Sequence, residues 1–424
     1  MHDLRTLREG ADALRAGLAR RGRLDVLAPL LERAQGADAE TRAATHAVEG
    51  KKAARNAMTQ EVARRKRAGE PAEELIAQGR AFGEEIAAIE QRRAAAEAER
   101  DALLLELPNV PLAEVPVGGE EASVVVRSWG QPRAADGVRP HWELGDALGI
   151  LDLPRGAKLA GSGFPVFRGQ GARLVRSLMS FMLDLHTREH GYEELWVPFV
   201  VNRAAMVGTS QLPKFEDDMY GVRDEELFLI PTAEVPVTNL YAGEILEGAE
   251  LPSAFAAYTP CFRREAGAHG KDTRGLLRLH QFDKVELVRY ARPEHAIAEH
   301  ELLTGHAEAV LQRLELPYRV MLLAAGDTGF ASAKTYDLEV WAPGVNRWLE
   351  VSSSSVFGDF QARRANIRFR PAAGEKPRFV HTLNASGLAF PRTIAAILEH
   401  HQQPDGSVRL PEPLRPYFGA DSLR

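Results

Sequence analysis

The spacing of apolar residues divides the chain into two regions of different character. From about Leu24 to Leu107 the sequence is rich in Ala, Glu, Arg, Lys and Leu and has almost no aromatic residues, which is typical of long helices or a coiled coil. The break from Arg67 to Pro71 predicts that this stretch folds back as a helical hairpin. Each arm of about 40 residues would be near 60 Å long. We expect the seam to be formed by alanines, namely Ala43, Ala47, Ala54 and Ala57 facing Ala81, Ala88, Ala95 and Ala102.

Alternation of polar and apolar residues predicts an antiparallel β-hairpin from Ala254 to Tyr290, with a long polar connection. Because side chains alternate between the faces of a strand, Arg263 and Glu265 would share a face and Arg264 would point away. The same rule separates the return strand into a polar and a packing face. The polar face would carry Arg278, His280, Phe282, Lys284 and Glu286, and the packing face Leu279, Val285 and Leu287.

The positions of Pro and Gly predict the domain boundary and the secondary-structure elements that follow it. The segment from Leu107 to Gly119 reads as a linker, which predicts domains at residues 1–110 and 111–424. Two β segments are expected near residues 336–341 and 347–355, and a helix from near Pro391 to about His401. Pro is favourable in a first helical turn, and Arg392 would then lie beside free backbone N–H groups that suit a phosphate.

The polar face of the predicted hairpin suits a ligand with phosphates and a base. Guanidinium groups bind phosphate and carboxylate oxygens in bidentate fashion, and an aromatic ring such as Phe282 gives a base a stacking surface. A solvated sheet face with ordinary salt bridges is the alternative interpretation of the same charges.

Composition narrows the class of protein. The 424 residues are 45% hydrophobic and 26% charged, as in folded globular proteins, and the length favours more than one domain. No apolar run is long enough for a membrane span, the N-terminus lacks a signal-peptide pattern, and Cys261 is the only cysteine, so we expect a cytoplasmic protein without a disulfide. The sequence contains no Walker loop, no GxGxxG after a strand and no HExxH zinc motif.

A net charge of −6 argues against indiscriminate nucleic-acid binding but leaves room for a local basic patch. Between Lys51 and Arg67 seven basic residues accompany a single acid, Glu61. This patch suits a phosphate backbone, although an ordinary solvated coiled-coil surface would have the same composition. The candidate RNA contacts are Lys51, Lys52, Arg55, Arg64 and Arg65.

Several motifs occur in one order along the chain: ProThrAlaGlu at 231–234, PheArgArgGluAlaGly at 262–267, HisGlnPheAspLysValGlu at 280–286, GluValSerSer at 350–353, PheGlnAlaArgArg at 360–364 and ThrLeuAsnAlaSerGlyLeuAla at 382–389. Together they resemble bacterial-type seryl-tRNA synthetases, which are class II aminoacyl-tRNA synthetases, over the whole length. The resemblance implies an α+β fold, in which a helical tRNA-binding arm precedes a catalytic domain built on an antiparallel sheet flanked by helices. It implies that the segment around Pro198 forms a homodimer interface.

The resemblance also implies roles for individual residues. ATP and its Mg²⁺ are expected at two overlapping sets of residues. The ATP set is Arg263, Arg264, Glu265, Arg278, Leu279, Phe282, Glu350, Val351, Ser352, Ser353 and Arg392, and the Mg²⁺ ligands would be Glu350 and Ser353. Serine would be held by Thr232, Ala233, Glu234, Arg263, Glu286, Asn384 and Ser386. Arg263, Arg392 and Glu350 would be catalytic, and the seryl group would pass from an adenylate to tRNA(Ser) and tRNA(Sec).

Three departures from the family pattern stand out. Arg264 stands where a serine is usual, although alternation predicts that it points away from the ligand face. Ser354 occupies a position that usually holds cysteine, and Gly163-Phe164-Pro165 replaces a stretch that commonly carries an arginine before an aromatic. Two other functions are compatible with such a chain: a ligase that passes an activated amino acid to a carrier protein, and a catalytically inactive, RNA-binding or regulatory homologue. The first would lack the helical arm, and the second would lack one of Arg263, Glu286, Glu350 or Arg392.

Overall fold

The computed structural model describes residues 1–266 and 274–424, so most of the connection within the predicted hairpin lies outside the described residues. The described chain separates into two compact units. One contains His2–Ala19 and Arg23–Pro108, and the other contains Met1, Arg20–Gly22 and Asn109–Arg424. Within the described ranges, no helix is both long and apolar enough to cross a membrane.

The first unit is helical and contains the predicted hairpin. Its helices are α1 (Leu4–Glu9), α2 (Ala11–Ala19), α3 (Leu24–Ala68) and α4 (Glu73–Glu106). Gly69 ends α3 in the left-handed conformation, with φ of 71°, and its N–H donates back to the last turn of α3. A residue without a Cβ is favoured there, which explains why the chain reverses at this point.

The predicted alanine seam of the hairpin is wrong. Ala43, Ala54, Ala57 and Ala81 are exposed, whereas the side chains buried along α3 and α4 lie at neighbouring positions. These buried residues include Leu31, Ala44, Val48, Ile86, Ala96 and Leu103. Alanine occurs on every side of both helices, so its spacing does not identify the contact face. The larger aliphatic side chains identify it because they gain more from leaving water.

The second unit is built on one large sheet with helices packed against it. Its helices are α5 (His141–Ala147), α6 (Leu153–Ala160), α7 (Gln170–Asp184), α8 (Arg203–Gly208), α9 (Glu234–Thr238), α10 (Ala296–Arg313), α11 (Phe360–Ala365), α12 (Phe390–His401) and α13 (Arg415–Phe418). Its strands are β1 (Val124–Trp129), β2 (Glu193–Glu194), β3 (Val200–Asn202), β4 (Tyr220–Gly221), β5 (Leu227–Leu229), β6 (Ile245–Glu247), β7 (Ser253–Phe262), β8 (Gln281–Ala291), β9 (Tyr318–Leu322), β10 (Lys334–Ala342), β11 (Arg347–Gly358), β12 (Arg368–Arg370), β13 (Arg378–Phe379), β14 (His381–Ala389), β15 (Val408–Arg409) and β16 (Ser422–Leu423).

The large sheet has the order β1-β9-β10-β11-β14-β8-β7-β2. Its pairs are antiparallel except at the edge, where β2 runs parallel to β7. The core lies between the sheet and helices α7, α10 and α12, where Leu178, Leu303, Leu338 and Ile397 are buried. The α+β class predicted from the sequence is confirmed.

The predicted hairpin is present as β7 and β8, with Cys261 opposite Phe282 and Thr259 opposite Lys284. Val285 and Leu287 are buried in the core, as predicted for the packing face. The face prediction holds for Leu279, which is buried in the same core cluster, but fails for His280, because β8 begins only at Gln281. His280 therefore stacks on Phe164, at 5.5 Å between ring centroids, and does not join the polar face.

Candidate active site

Two adjoining cavities, of about 1370 Å³ and about 220 Å³, open on the second unit beside β8, β11 and β14. They share lining residues from three separate parts of the sequence, among them Arg263, Lys284, Glu350 and Ser386. Antiparallel pairing explains the convergence, since β14 lies between β8 and β11 and places Ser386 opposite Glu286.

Most of the predicted site residues line one or both cavities. The larger cavity is lined by Thr232, Glu234, Arg263, Glu265, Arg278, Glu350, Ser353, Asn384 and Ser386. The smaller cavity adds Leu279, Phe282, Val351 and Arg392. Arg278 and Leu279, which strict alternation would separate, line the same cavity because they precede β8.

Four predicted site residues line neither cavity. Ala233 is fully buried in a neighbouring apolar cluster, and the backbone N–H of Arg264 donates to the carbonyl of Asp218. Ser352 is buried behind the cavity wall, where its hydroxyl donates to the carbonyl of Ser386 at 2.6 Å. Glu286 is buried as well, but it contacts two residues that do line the cavity.

Arg392 is held in place by two other chain segments. It lies in the first turn of α12, which begins at Phe390 with Pro391 next in sequence, as predicted. Its Nε donates to the carbonyl of Leu277 at 2.9 Å, and its Nη1 donates to the carbonyl of Glu350 at 2.7 Å. These two bonds come from different sides of the guanidinium and fix its orientation in the wall of the smaller cavity.

Two other arginines, Arg263 and Arg278, line both cavities. The guanidinium carbon of Arg263 lies 5.2 Å from the centroid of the Phe282 ring, a distance at which cation–π attraction operates. Arg278 forms an ion pair with Glu265, and its Nε is buried without a hydrogen-bond partner among the described residues. A buried guanidinium N–H in a cavity wall suits an anionic ligand oxygen.

A compact polar network lies at the inner wall of the larger cavity. Lys284 is 5% exposed and forms an ion pair with Glu286, and its Nζ donates to the hydroxyl of Thr232 at 2.9 Å. The amide of Asn384 donates to the other carboxylate oxygen of Glu286 at 2.8 Å. Glu286 is therefore held by two partners in a fixed position.

Glu234 lies next to this network and has a different electrostatic environment. The pKa of its carboxyl is raised to about 7, first by burial and then by the charge of Glu286, and the hydrogen bond from Gln361 opposes this rise. A carboxyl group that changes its charge near neutral pH in a cavity wall is a recurrent feature of functional sites.

Glu350 and Ser353 lie three residues apart on β11, on either side of a register shift in its pairing with β10, and both line the larger cavity. Opposite Ser353 on β10 is Asp337, whose buried Oδ1 has no hydrogen-bond partner among the described residues. Carboxylate and hydroxyl oxygens are hard ligands of the kind that Mg²⁺ takes, and Mg²⁺ commonly uses one or two carboxylates together with phosphate oxygens and water. The donor set therefore fits this ion when a phosphate ligand is also present.

In the helical unit the basic residues of the predicted RNA patch are partly paired. Lys51 pairs with Glu85, Lys52 with Glu90 at 2.7 Å, and both Arg64 and Arg65 pair with Glu61. Arg55, Lys66 and Arg67 form no ion pair with any residue that the structure describes. These three residues therefore offer their positive charge to a ligand directly. The other four basic residues offer theirs when a phosphate replaces the carboxylate of the surface ion pair.

Comparison with known proteins covers both units. Residues 1–111 match the family described as seryl-tRNA synthetase N-terminal domain, and residues 214–401 match the tRNA synthetase class II core domain of the G, H, P, S and T enzymes. A serine–tRNA ligase of Gemmatimonas aurantiaca is 66% identical over 420 residues, which is 99% of each chain. The chain belongs to the seryl-tRNA synthetase family.

Solved structures agree with this membership. A seryl-tRNA synthetase from Pyrococcus horikoshii, complexed with ATP, superimposes with a TM-score of 0.95 at 38% identity, covering 100% of this chain and 99% of the other. A cytoplasmic serine–tRNA ligase from Naegleria fowleri, in complex with AMP, gives a TM-score of 0.89 at 28% identity, with coverage of 100% and 99%. This synthetase is thus an ATP-dependent serine–tRNA ligase, and an inactive homologue is not favoured.

Two buried residues at the site of this synthetase, Lys284 and Gln361, were not predicted from the sequence. Lys284 was placed on the polar face of the hairpin but given no role, although its position two residues before Glu286 predicts their contact on one strand face. Gln361 was quoted only as part of a motif, and no spacing along the chain connects it with Glu234.

Two of the three departures from the family pattern, at Gly163 and Ser354, have local explanations. Gly163 has φ of +81°, and a Cβ there would lie 2.5 Å from the ring of His280, so the segment is packed under the return strand and leaves no room for a side chain. Ser354 is fully buried, and its hydroxyl hydrogen-bonds to that of Thr304 at 2.9 Å.

Proposed function

We propose that the two cavities catalyse the two steps of serine–tRNA ligation: serine and ATP form seryl-adenylate, and the seryl group then passes to the 3′ end of the tRNA. The observation that carries the proposal is the convergence of Arg263, Glu350 and Arg392 on two adjoining cavities with a buried polar network at their inner wall. ATP needs cations for its phosphates and an aromatic ring for its base, and serine needs carboxylates for its ammonium group.

ATP is assigned to the smaller cavity and its junction with the larger one. Phe282 stacks on the adenine, and Glu265 accepts from the adenine amino group. Arg392 binds the γ-phosphate, Arg263 the α-phosphate or the serine carboxylate, and Arg278 assists at the outer phosphates. Leu279, Val351 and the backbone around Ser352 form the rest of the nucleotide wall.

Serine is assigned to the inner wall of the larger cavity. Glu286, Glu234 and Thr232 surround its ammonium and hydroxyl groups, and Asn384 and Ser386 complete the pocket. A pocket that hydrogen-bonds the hydroxyl disfavours alanine because the buried polar groups would then be left unpaired. Threonine is excluded by the size of the pocket.

The serine carboxylate attacks the α-phosphorus in line, the bond from this phosphorus to the bridging oxygen breaks, and pyrophosphate leaves, so no protein nucleophile is needed. Arg263 and Arg392 neutralise the charge that spreads over the phosphates in the transition state, and their fixed orientations mean that little reorganisation accompanies the reaction. Glu350 and Ser353 would hold Mg²⁺, which supplies further charge neutralisation at the phosphate oxygens.

The helical unit is assigned to the body of the tRNA. The phosphate backbone would meet Arg55 and the neighbouring Lys51, Lys52, Arg64 and Arg65, whose surface ion pairs are weak enough to exchange for phosphate. We include tRNA(Sec) with tRNA(Ser), since both end in the same kind of acceptor and carry a long variable arm.

We further propose a homodimer that works in the cytoplasm, where its tRNA substrates are. The support is an exposed apolar surface next to the segment around Pro198, where Trp196 is 76% exposed and Val200 38% exposed. Large exposed apolar side chains in a cluster mark interaction surfaces. Light scattering of the purified protein, with Trp196→Arg as the disrupting variant, measures the oligomeric state.

Charging of defined tRNA transcripts tests the proposed function. Labelled serine is expected on tRNA(Ser) and tRNA(Sec) in the presence of ATP, and not on a transcript without a long variable arm. Serine activation without transfer to either tRNA would overturn the second step, and transfer to a carrier protein would favour the alternative ligase.

A further inference from the structure

Gln361 lies behind the proposed serine pocket on α11, and none of the residue is exposed to solvent. Its Nε2 donates to Oε1 of Glu234 at 2.7 Å, and its Oε1 accepts from the hydroxyl of Thr382 at 2.7 Å. Thr382 is also fully buried and lies on β14, two residues before Asn384. The side chains of Thr382, Gln361 and Glu234 form a continuous line of hydrogen bonds that ends at the cavity.

Building on the proposed function, we propose that Gln361, held by Thr382, is a positioning residue for serine binding, which holds the Glu234 carboxylate toward the cavity. Gln361 touches no substrate in this account. It acts through Glu234, which lines the larger cavity.

The geometry gives the amide one orientation. The Thr382 hydroxyl donates to the carbonyl oxygen of Gln361, and the NH₂ group faces Glu234. An amide rotated by half a turn would bring its oxygen against a carboxylate oxygen, which only a protonated Glu234 could accommodate. The Thr382 hydroxyl can donate or accept, so a charged Glu234, which only accepts, sets the observed orientation of the amide, and Thr382 holds its far end.

Burial and charge make this donor important for the ionisation of Glu234. Burial is the main cause that raises the pKa of the carboxyl to about 7, followed by the charge of Glu286. The groups that lower the pKa are the Gln361 amide, Lys284 on the same strand as Glu286, and Arg263 beyond the end of β7. Removing the amide donor is therefore expected to raise the pKa above about 7, so that Glu234 is mostly neutral at neutral pH.

The hydrogen bond from Gln361 also restricts the conformation of the Glu234 side chain. A glutamate has several rotatable bonds, and a hydrogen bond from a buried side chain that is itself held at its far end limits these rotamers. Within the described residues, the side chain of Glu234 accepts no other hydrogen bond, which leaves its second carboxylate oxygen available to a ligand in the cavity that it lines.

The test is serine-dependent ATP–pyrophosphate exchange measured against pH for the wild-type protein and two variants. Gln361→Met keeps the length of the side chain and removes the donor, so the KM for serine is expected to rise roughly tenfold or more, while the KM for ATP stays within about twofold. The acid limb of kcat/KM for serine should move to higher pH. Gln361→Glu is isosteric and faces Glu234 with a second carboxylate, so it should move that limb further.

A matched control is Gln312→Met on α10, which removes an amide that donates to the Tyr318 hydroxyl at 2.8 Å and lines neither cavity. It should leave the serine KM and the pH profile unchanged. Thr382→Val is the replacement measurement if Gln361→Met does not fold, and it should shift the same acid limb in the same direction.

The outcomes separate the inference from the proposed function. If the wild-type protein exchanges with serine but the variants keep its serine KM and acid limb, the inference is wrong and the proposed function stands. Equal rises in the KM for serine and for ATP, without a pH shift, would show a general structural role and also overturn it. If the wild-type protein shows no exchange with serine, the proposed function fails first.

Discussion

Arg392 and Leu277 join the end of a helix to a segment that lies 115 residues earlier, through a hydrogen bond of 2.9 Å from Nε to the backbone carbonyl. Leu277 directly precedes Arg278, so the same contact that orients one arginine also fixes the segment that carries another. Both arginines line the smaller cavity. The two cationic groups are thus in position before any ligand arrives, which is the arrangement that makes electrostatic stabilisation effective.

Replacing either central arginine tests this arrangement. Arg392→Ala and Arg263→Ala are expected to lower serine-dependent ATP–pyrophosphate exchange by about 100-fold or more, since each removes a fixed cation from the developing charge. Arg409→Ala, which removes an exposed ion pair with Glu315, is the control and should leave exchange unchanged. Near-normal exchange in both central variants would contradict their assignment.

The proposed Mg²⁺ ligands give a prediction that depends on metal concentration. Glu350→Gln and Ser353→Ala should raise the Mg²⁺ concentration needed for half-maximal exchange, because each removes an oxygen ligand from a small donor set. Excess Mg²⁺ should restore more of the activity of Ser353→Ala than of Glu350→Gln, since the serine hydroxyl carries no charge. An unchanged Mg²⁺ requirement in both would remove β11 from the metal site.

The helical unit is expected to serve tRNA binding but not serine activation. Deletion of residues 30–100 should spare ATP–pyrophosphate exchange and abolish tRNA charging, because every residue that lines the cavities lies outside this range. Unimpaired charging by this variant would refute the assignment of the unit.

Charge reversal tests the same unit without a deletion. Arg55→Glu, Lys66→Glu and Arg67→Glu combined should weaken tRNA binding and make its salt dependence less steep, since fewer phosphates are neutralised. Arg5→Glu, Arg15→Glu and Arg33→Glu combined, which also reverse three exposed charges of this unit, are the matched control. An identical loss in both proteins would point to net charge and away from this patch.

The buried Lys284–Glu286 pair predicts an effect on stability. Lys284→Met leaves Glu286 without its cation in a site where the two side chains are 6% and 0% exposed, which is expected to cost about 3–5 kcal/mol of unfolding free energy. Denaturant unfolding measures this loss. The double variant Lys284→Met with Glu286→Gln should recover part of it, and no recovery would mean that packing, not the unpaired charge, is responsible.

The sequence was sufficient for those parts of the fold that follow from local patterns. The long helices α3 and α4, the β7–β8 and β10–β11 hairpins and the α12 helix all occur where periodicity and Pro or Gly residues predicted them. The predictions that failed concerned which residues form a contact face and where a strand begins. Alanine was too frequent to mark the α3–α4 seam, and alternation could not show that residues 278–280 precede the strand.

The candidate site was likewise predictable only in part. Residues whose chemistry is apparent from side-chain type, such as Arg263, Phe282, Glu350 and Arg392, were predicted and line the cavities. Gln361 was not predicted, because its link to Glu234 spans 127 residues and depends on how α11 packs behind the pocket. The pKa of Glu234 could not be predicted either, since burial is its main cause and burial is a property of the folded chain.

The most direct test of the central claim, that these cavities bind ATP and serine together for adenylate formation, is ATP–pyrophosphate exchange by the wild-type protein with each of the twenty amino acids in turn. The account predicts strong exchange with serine, with much weaker exchange for alanine and threonine. Exchange with no amino acid, or strongest exchange with an amino acid other than serine, would contradict it.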